Sequence, residues 1–434
     1  MSEYLKRAEP HGDRASTDVV ATVADMLAEI ESEGYEAVRG YSASLDSWEP
    51  ESFVLDPDEI DRLAARVPAD LAGHIENAAR RVRGFAEAQR ESLTDLRFEI
   101  EPGVTLGHRI VPVESVGVYV PGGRYQLISS ALMGAIPPRV AGVETVTLTT
   151  PVGPDGTINP ATAYAARLAG VDSLLALGGV QALAALAFGL IEGIDPVAMI
   201  VGAGNAYVAE AKRQLFGVVG IDLLAGPTET MVIADETARP RLVAIDLLSQ
   251  AEHGLTSPAH LVTTSRELGV AVLAEIDDLF ETWPTREVTE AAWERFGEVV
   301  VAENDEEAIR LSDEFAPEHL QIQVRNPEFF HERLRDYGSL FIGEETTVSF
   351  GDKASGPNHT LPTQHSARYT GGLWVGSFLK TLSFQQLTSD GAQAIAEDSE
   401  AISEAEGLGG HAIAAAARLD LDSHPRLDDR DPAT

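Results

Sequence analysis

Several short stretches of this chain carry residue types able to do chemistry. LLSQAEHG (Leu247–Gly254) ends an apolar, helix-like run on Gln250, Glu252 and His253. EFAPEHLQI sets Glu318 beside His319, and GDKASGPNHTLPT holds Asp352 and His359. EGLGGHAIAAAARL places Glu406 and His411 on either side of a glycine turn. The chain has no cysteine, which excludes thiolate and disulfide chemistry and leaves nitrogen and oxygen to hold any metal. On a helix Gln250 and His253 stand three residues apart, about 300° around the axis, and share a face. Glu252 lies about 200° from Gln250 and points elsewhere. The pair either holds a ligand or caps a helix end against solvent. Glu318 and His319 follow Pro317, which stops the preceding helix. In a turn, a carboxylate and an imidazole can flank one reacting centre as general acid and base; a surface turn is the plain alternative. Asp352 is either a ligand on a glycine- and proline-rich loop or a turn-former. His411 is either a site residue or a neighbour of a helix's first turn.

A second chemistry is anion binding. Val201–Asn205 (VGAGN) follows an apolar run and opens the helical stretch AYVAEAKRQLFG, where backbone N–H groups can approach a phosphate. The dinucleotide fingerprint is incomplete: Tyr207 stands at its third glycine, and no acidic ribose partner follows at the expected distance. Val120–Gly123 and Gly178-Gly179 are further glycine turns, the latter putting Gln181 at the mouth of a strand–helix unit. Three such turns within about ninety residues point to one region built for an extended anionic ligand.

Positioning these groups falls to alternating elements. The first hundred or so residues read as amphipathic helices, as in DVVATVADMLAEIESEGYEAVRGY. From VGVYV onward, short apolar runs (TVTLTT, SLLAL, AMIVG, MVIAD, HLVTT, EVVVA, SLFIG) alternate with helical stretches. That alternation is the signature of parallel sheets covered by helices, and the strand number calls for two α/β units. Leu174–Ile191 is eighteen residues without a charge. Asp172 and Glu192 flank it and Gly178-Gly179 divides it, so it reads as strand, turn and helix and not as a membrane span. The N-terminus lacks the apolar core of a signal peptide, and the expectation is a soluble, cytoplasmic protein. A formal charge of −37, from 69 acidic and 32 basic residues with only four lysines, argues against nucleic-acid or anionic-membrane partners. Such a surface resembles those of proteins from salt-accumulating halophiles. The acidic, proline-containing tail after Leu419 is expected to fray.

Taken in order, IDLLAGPTETMVIAD, LLSQAEHG, FAPEHLQI, GDKASGPNHTLPT and EGLGGH resemble the successive signatures of the histidinol dehydrogenase family. The resemblance runs from about Pro121 through His411. It implies two NAD-dependent oxidations, of L-histidinol to the aldehyde and then to L-histidine, the last steps of histidine biosynthesis. It further implies Gln250, His253, Asp352 and His411 as ligands of one zinc ion per subunit, and Glu318 and His319 as the acid/base pair. Thr228, His359 and Glu406 then contact substrate together with the metal ligands and His319, while Tyr119, Gln181 and Asn205 contact NAD. The fold it implies is a pair of Rossmann-like parallel-sheet domains with N-terminal helices and a C-terminal helical tail. The corresponding division is an arm at 1–20, a first α/β domain at 21–118 plus 229–373, a second at 119–228 on the NAD side, and a tail at 374–434. In this family the tail reaches the partner subunit, so a homodimer with shared sites is implied, His411 and Glu406 completing the other chain's centre. Thr228 stands where serine is also common, and Ala203 replaces a proline frequent in the glycine turn. The rival readings are a metal-dependent hydrolase in which Glu318 activates water, and a binding protein that retains the fold without activity.

Overall fold

The computed structural model describes residues 2–10, 17–122, 127–224, 226–420 and 424. The turn at Val120–Gly123 is therefore described only to Gly122, and of the acidic tail only Asp420 and His424 fall within the described residues. The chain divides into two compact units, Met1–Arg90 with Val113–Phe378, and Glu91–Pro112 with Leu379–Thr434.

Among the described residues the strands are β1 (Glu3–Lys6), β2 (Leu96–Glu101), β3 (Val104–Pro112), β4 (Ser115–Tyr119) and β5 (Thr145–Thr150). They continue with β6 (Ser173–Ala176), β7 (Met199–Val201), β8 (Gly220–Ile221), β9 (Thr230–Ala234) and β10 (Ala259–Thr263). The last are β11 (Gly297–Val301), β12 (His319–Gln323), β13 (Ser339–Ile342) and β14 (Leu379–Leu387). The first unit holds both parallel sheets. One has the order β6-β5-β4-β7-β8, parallel throughout. The other has the order β1-β11-β10-β9-β12-β13, parallel except for β1, which closes the edge antiparallel to β11. Central strands such as TMVIA and AHLVT are buried at every position, as expected where helices cover both faces of a sheet.

The eight runs read as strands all form strands, and Leu174–Ile191 splits into β6 and the helix Gly179–Phe188. No helix among the described residues is long and apolar enough to cross a membrane. Three features differ from the sequence expectation. The sequence division places most of the helices Thr17–Glu33 and Tyr35–Asp46 in the metal-side domain, yet Val23, Met26, Leu27 and Ile30 pack into one core with Leu183, Leu186, Val208 and Leu215 of the five-stranded sheet's helices. That sheet also begins at β4, four residues ahead of the expected boundary at 119. Finally, the C-terminal segment is not helical throughout: β14 pairs antiparallel with β3, which pairs with β2, making a three-stranded sheet in the second unit. Two helices follow, Ser389–Ala405 and Gly409–Ala416, joined through Gly407 at φ 75°.

Candidate active site

Several of the candidate residues gather at the N-terminal edge of β9 and β12. Thr228 and Glu229 lead into β9, Glu318 precedes β12 and His319 opens it. Sequence reasoning put Glu318-His319 in a turn; His319 instead starts a strand buried along its length, between β9 and β13. The adjacent side chains still meet because the Glu318 carboxylate turns across to the segment that leads into β9. Its Oε2 accepts from the Thr228 hydroxyl at 2.6 Å and the Glu229 N–H at 2.9 Å, and lies 3.4 Å from His319 Nδ1.

The helix Pro240–Ala251 starts on a proline at its first turn, suited to that residue's fixed φ, and runs back to the same edge. Gln250 lies in its last turn and His253 just beyond, the backbone still helical at Glu252. Gln250 and His253 both line a cavity of about 470 Å³, and Glu252 lines it too, so the helical angle does not take Glu252 away from it. The Glu252 carboxylate accepts from the Thr285 hydroxyl at 2.8 Å, an anchor for the helix end. Asp352 reaches the cavity from the last turn of the helix Val348–Lys353 and not from a loop as expected. The long helix thus points its carbonyl end at the cavity, a polarity that favours a cation there.

Thr228 links the parts, donating to Glu318 while accepting from Gln250 Nε2 at 2.9 Å. His319 Nδ1 faces the Glu229 carbonyl at 3.1 Å, the Glu318 carboxylate, and the Gln250 amide at 3.2 Å. Two acceptors against one donor place a ring proton on Nδ1. Nε2 is left 3.4 Å from Asp352 Oδ1, buried and without a hydrogen bond. Burial opposes charge on His319, but the carboxylates of Glu318 and Asp352 on either side override it and push the imidazole up to about 10. Burial also works against ionisation of Asp352, yet His319, His359 and Lys353 hold its carboxyl well below the usual carboxylate range. Glu229 is pushed up to about 8 by burial and then by the charge of Glu318. The His253 ring is held below the ordinary imidazole value, chiefly by the protein packed around it.

His359 donates from Nδ1 to the Asp352 carbonyl at 2.8 Å, and its Nε2 meets the Ser130 hydroxyl at 3.1 Å. Its neighbour Asn358 donates to the Met133 carbonyl at 2.7 Å. These two residues tie the Asp352 segment to the helix Ile128–Ala141, which follows β4, and Leu127–Ser129 at that helix's start line the same cavity. The strand order of the five-stranded sheet reverses at β4 and β7, and the carboxyl ends of strands at such reversals receive ligands in open α/β sheets.

At this reversal the Tyr119 hydroxyl accepts from the Gly179 N–H at 3.3 Å, and Gln181 donates to Asp46 at 2.8 Å, its own carbonyl oxygen buried and unpaired. Asn205 caps the helix Ala206–Leu215, accepting from the N–H groups of Tyr207 and Val208. Lys212 and Asp222 form a buried ion pair that grips the turn from both sides: Asp222 accepts from the Gly202 N–H at 2.7 Å and Lys212 donates to the Gly202 carbonyl at 2.8 Å. Sequence reading passed over this pair, and over Glu229, Ser130 and Lys353. The scarcity of lysine was the one available signal, since two of four lysines stand at these sites.

Glu406 and His411 belong to the second unit, exposed at the junction of its two helices. Among the described residues no three His, Asp or Glu side chains form a metal-holding group. Gln250, His253 and Asp352 nevertheless share one cavity wall, and their oxygen and nitrogen donors suit zinc while leaving open coordination positions.

The family model described as histidinol dehydrogenase matches residues 10–419. A histidinol dehydrogenase homolog of Ruegeria pomeroyi is 50% identical over 415 residues, covering 95% of this chain and 94% of that protein. The sulfopropanediol 3-dehydrogenase of the same organism is 44% identical over 419 residues, covering 96% of each. The crystal structure of histidinol dehydrogenase from Elizabethkingia anophelis superposes with a TM-score of 0.90 at 35% identity, covering 96% of this chain and 95% of that one. This chain belongs to the histidinol dehydrogenase family.

Proposed function

We propose that this protein oxidises L-histidinol through the aldehyde to L-histidine, consuming two NAD+. The observation that carries the reading is the Thr228–Glu318–His319–Gln250 network set against Asp352 at one cavity. It supplies one base beside the alcohol and a second for water. Gln250, His253 and Asp352 hold one zinc ion, with His411 of a partner subunit as fourth ligand; Tyr119, Gln181 and Asn205 face NAD. When bound, the metal supplies fixed positive charge that orients the substrate, and NAD+ supplies the hydride acceptor.

The chain's own groups carry the protons. His319 takes the hydroxyl proton at Nε2, the nitrogen with no hydrogen-bond partner, while Nδ1–H keeps the ring oriented on the Glu229 carbonyl. A base must be neutral, and spending the Asp352 charge on a cation removes one of the two carboxylates that hold the proton on His319. Glu318 then takes a proton from water, generating the nucleophile for the aldehyde carbon. The hydroxyl of Thr228 fixes Glu318 for this task. His359 and Glu406 complete the substrate shell.

A homodimer is part of the proposal. The second unit exposes Leu96, Phe98, Ile402 and Ile413, apolar side chains whose burial against a partner subunit favours association. A cytoplasmic setting goes with a reaction that draws on NAD+, and the charge of −37 goes with a high-salt optimum, since salt screens self-repulsion. The test is NADH formation on mixing protein, histidinol and NAD+, abolished by a chelator and restored by zinc. Absence of NADH with metal-replete protein would leave the hydrolase reading in its place.

A further inference from the structure

The proposed reaction leaves one cavity residue unexplained. Lys353, next in sequence to Asp352, is one of four lysines in a chain of formal charge −37 and stands on the wall of the same cavity. Its ammonium lies 3.7 Å from Asp352 Oδ2, within ion-pairing range, yet it makes no hydrogen bond to any described residue. It is half-exposed, so packing does not account for it. The other basic side chains on the wall are His74 and His253. A lysine here disfavours the cationic amine of histidinol, and of the two carboxylates on the wall Glu252 accepts from the Thr285 hydroxyl while Asp352 is spent on a metal.

The geometry points to Lys353 as a specificity-determining residue that pairs with an oxyanion on the substrate, so that this site oxidises a short primary alcohol bearing a sulfonate or carboxylate in preference to histidinol. This rests on the proposed oxidation and on Asp352 holding the metal. The hydroxyls of Ser129 and Ser349 on the same wall offer further donors to an oxyanion, and Ile75 and Leu132 cover a short carbon chain. The chemistry is otherwise unaltered. R–CH2OH, water and two NAD+ give R–COO−, two NADH and three protons, one released at the alcohol step and two at the aldehyde step.

The experiment compares 2,3-dihydroxypropane-1-sulfonate, 2,3-dihydroxypropanoate and histidinol as substrates of the intact metal-loaded protein and of its Lys353→Gln and Lys353→Arg variants. Wild type should turn over at least one anionic alcohol with higher kcat/KM than histidinol, and the better of the two identifies the oxyanion. Lys353→Gln should lower that kcat/KM by about tenfold or more, mainly through KM, and raise it for histidinol. Lys353→Arg should keep the anionic preference. An equal loss on every substrate, or turnover of histidinol alone, would overturn the assignment. No NADH from any of the three would instead overturn the oxidation itself.

Discussion

Glu318→Gln separates the two half-reactions. Glutamine keeps the size of the side chain, and its Oε1 can still accept from Thr228 and Glu229, contacts of 2.6 and 2.9 Å in the native protein. The geometry should therefore survive and only basicity be lost. A positioned general base is worth about 10²–10⁴ in rate, so the aldehyde step should slow by that factor, roughly 3–5 kcal/mol of barrier. The alcohol step uses His319 and should fall by about tenfold or less. It also carries a signature. At 3.4 Å the Glu318 charge is one of the groups holding the His319 proton, worth at most about 5 kcal/mol at an effective dielectric near 20. Removing it lowers the His319 pKa, and a base works above its pKa. The alkaline-rising limb of the alcohol step should consequently move to lower pH in the variant. Stopped-flow NADH formation, started separately from histidinol and from histidinaldehyde across a pH series, reads both effects. Equal slowing of the two steps, or an unmoved limb, would refute the division of labour.

Other outcomes follow from the same structure. His260 is buried against Phe315 and held down to about 4, mainly by burial and then by His365. It folds neutral while the unfolded chain protonates near 6.5, so stability present above that pH is lost as pH falls toward 4, about 2 kcal/mol of it between pH 7 and 5. Urea midpoints of wild type and His260→Gln should diverge by that amount over this range; parallel declines would contradict it. Gly202→Ala should cost more than about 2 kcal/mol, because φ is 122° and a Cβ would sit 2.1 Å from the Tyr119 carbonyl oxygen; an unchanged Tm would show that the turn is not so constrained. A mixed dimer of His411→Ala and His319→Ala chains should regain activity absent from either parent, and a silent mixture would count against a shared site.

Much of this was legible beforehand because apolar runs such as MVIAD and SLLAL report buried parallel strands directly. The helical angle between Gln250 and His253 agrees with their sharing a cavity wall, but Glu252 lines that wall as well while accepting from Thr285. What escaped has physical causes. β12 reads HLQIQ, and its glutamines are tolerated inside the sheet only because Gln321 and Gln323 both donate to the buried Asp246, a partner some seventy-five residues away that no local pattern reveals. β2 is exposed at every position, so it presents no buried face for alternation to mark. The docking of Thr17–Asp46 on the five-stranded sheet depends on which apolar stripe it meets, and amphipathic spacing is silent about that. Lys353 carries no local signal, because a lysine next to an aspartate in sequence is indistinguishable from an ordinary exposed ion pair.

Counting NADH against histidinol consumed by the zinc-loaded protein tests the central claim most directly. Two NADH per histidinol, with histidine as the only product, is the predicted result. One NADH per histidinol with free aldehyde, or histidinol consumed with none, would contradict it.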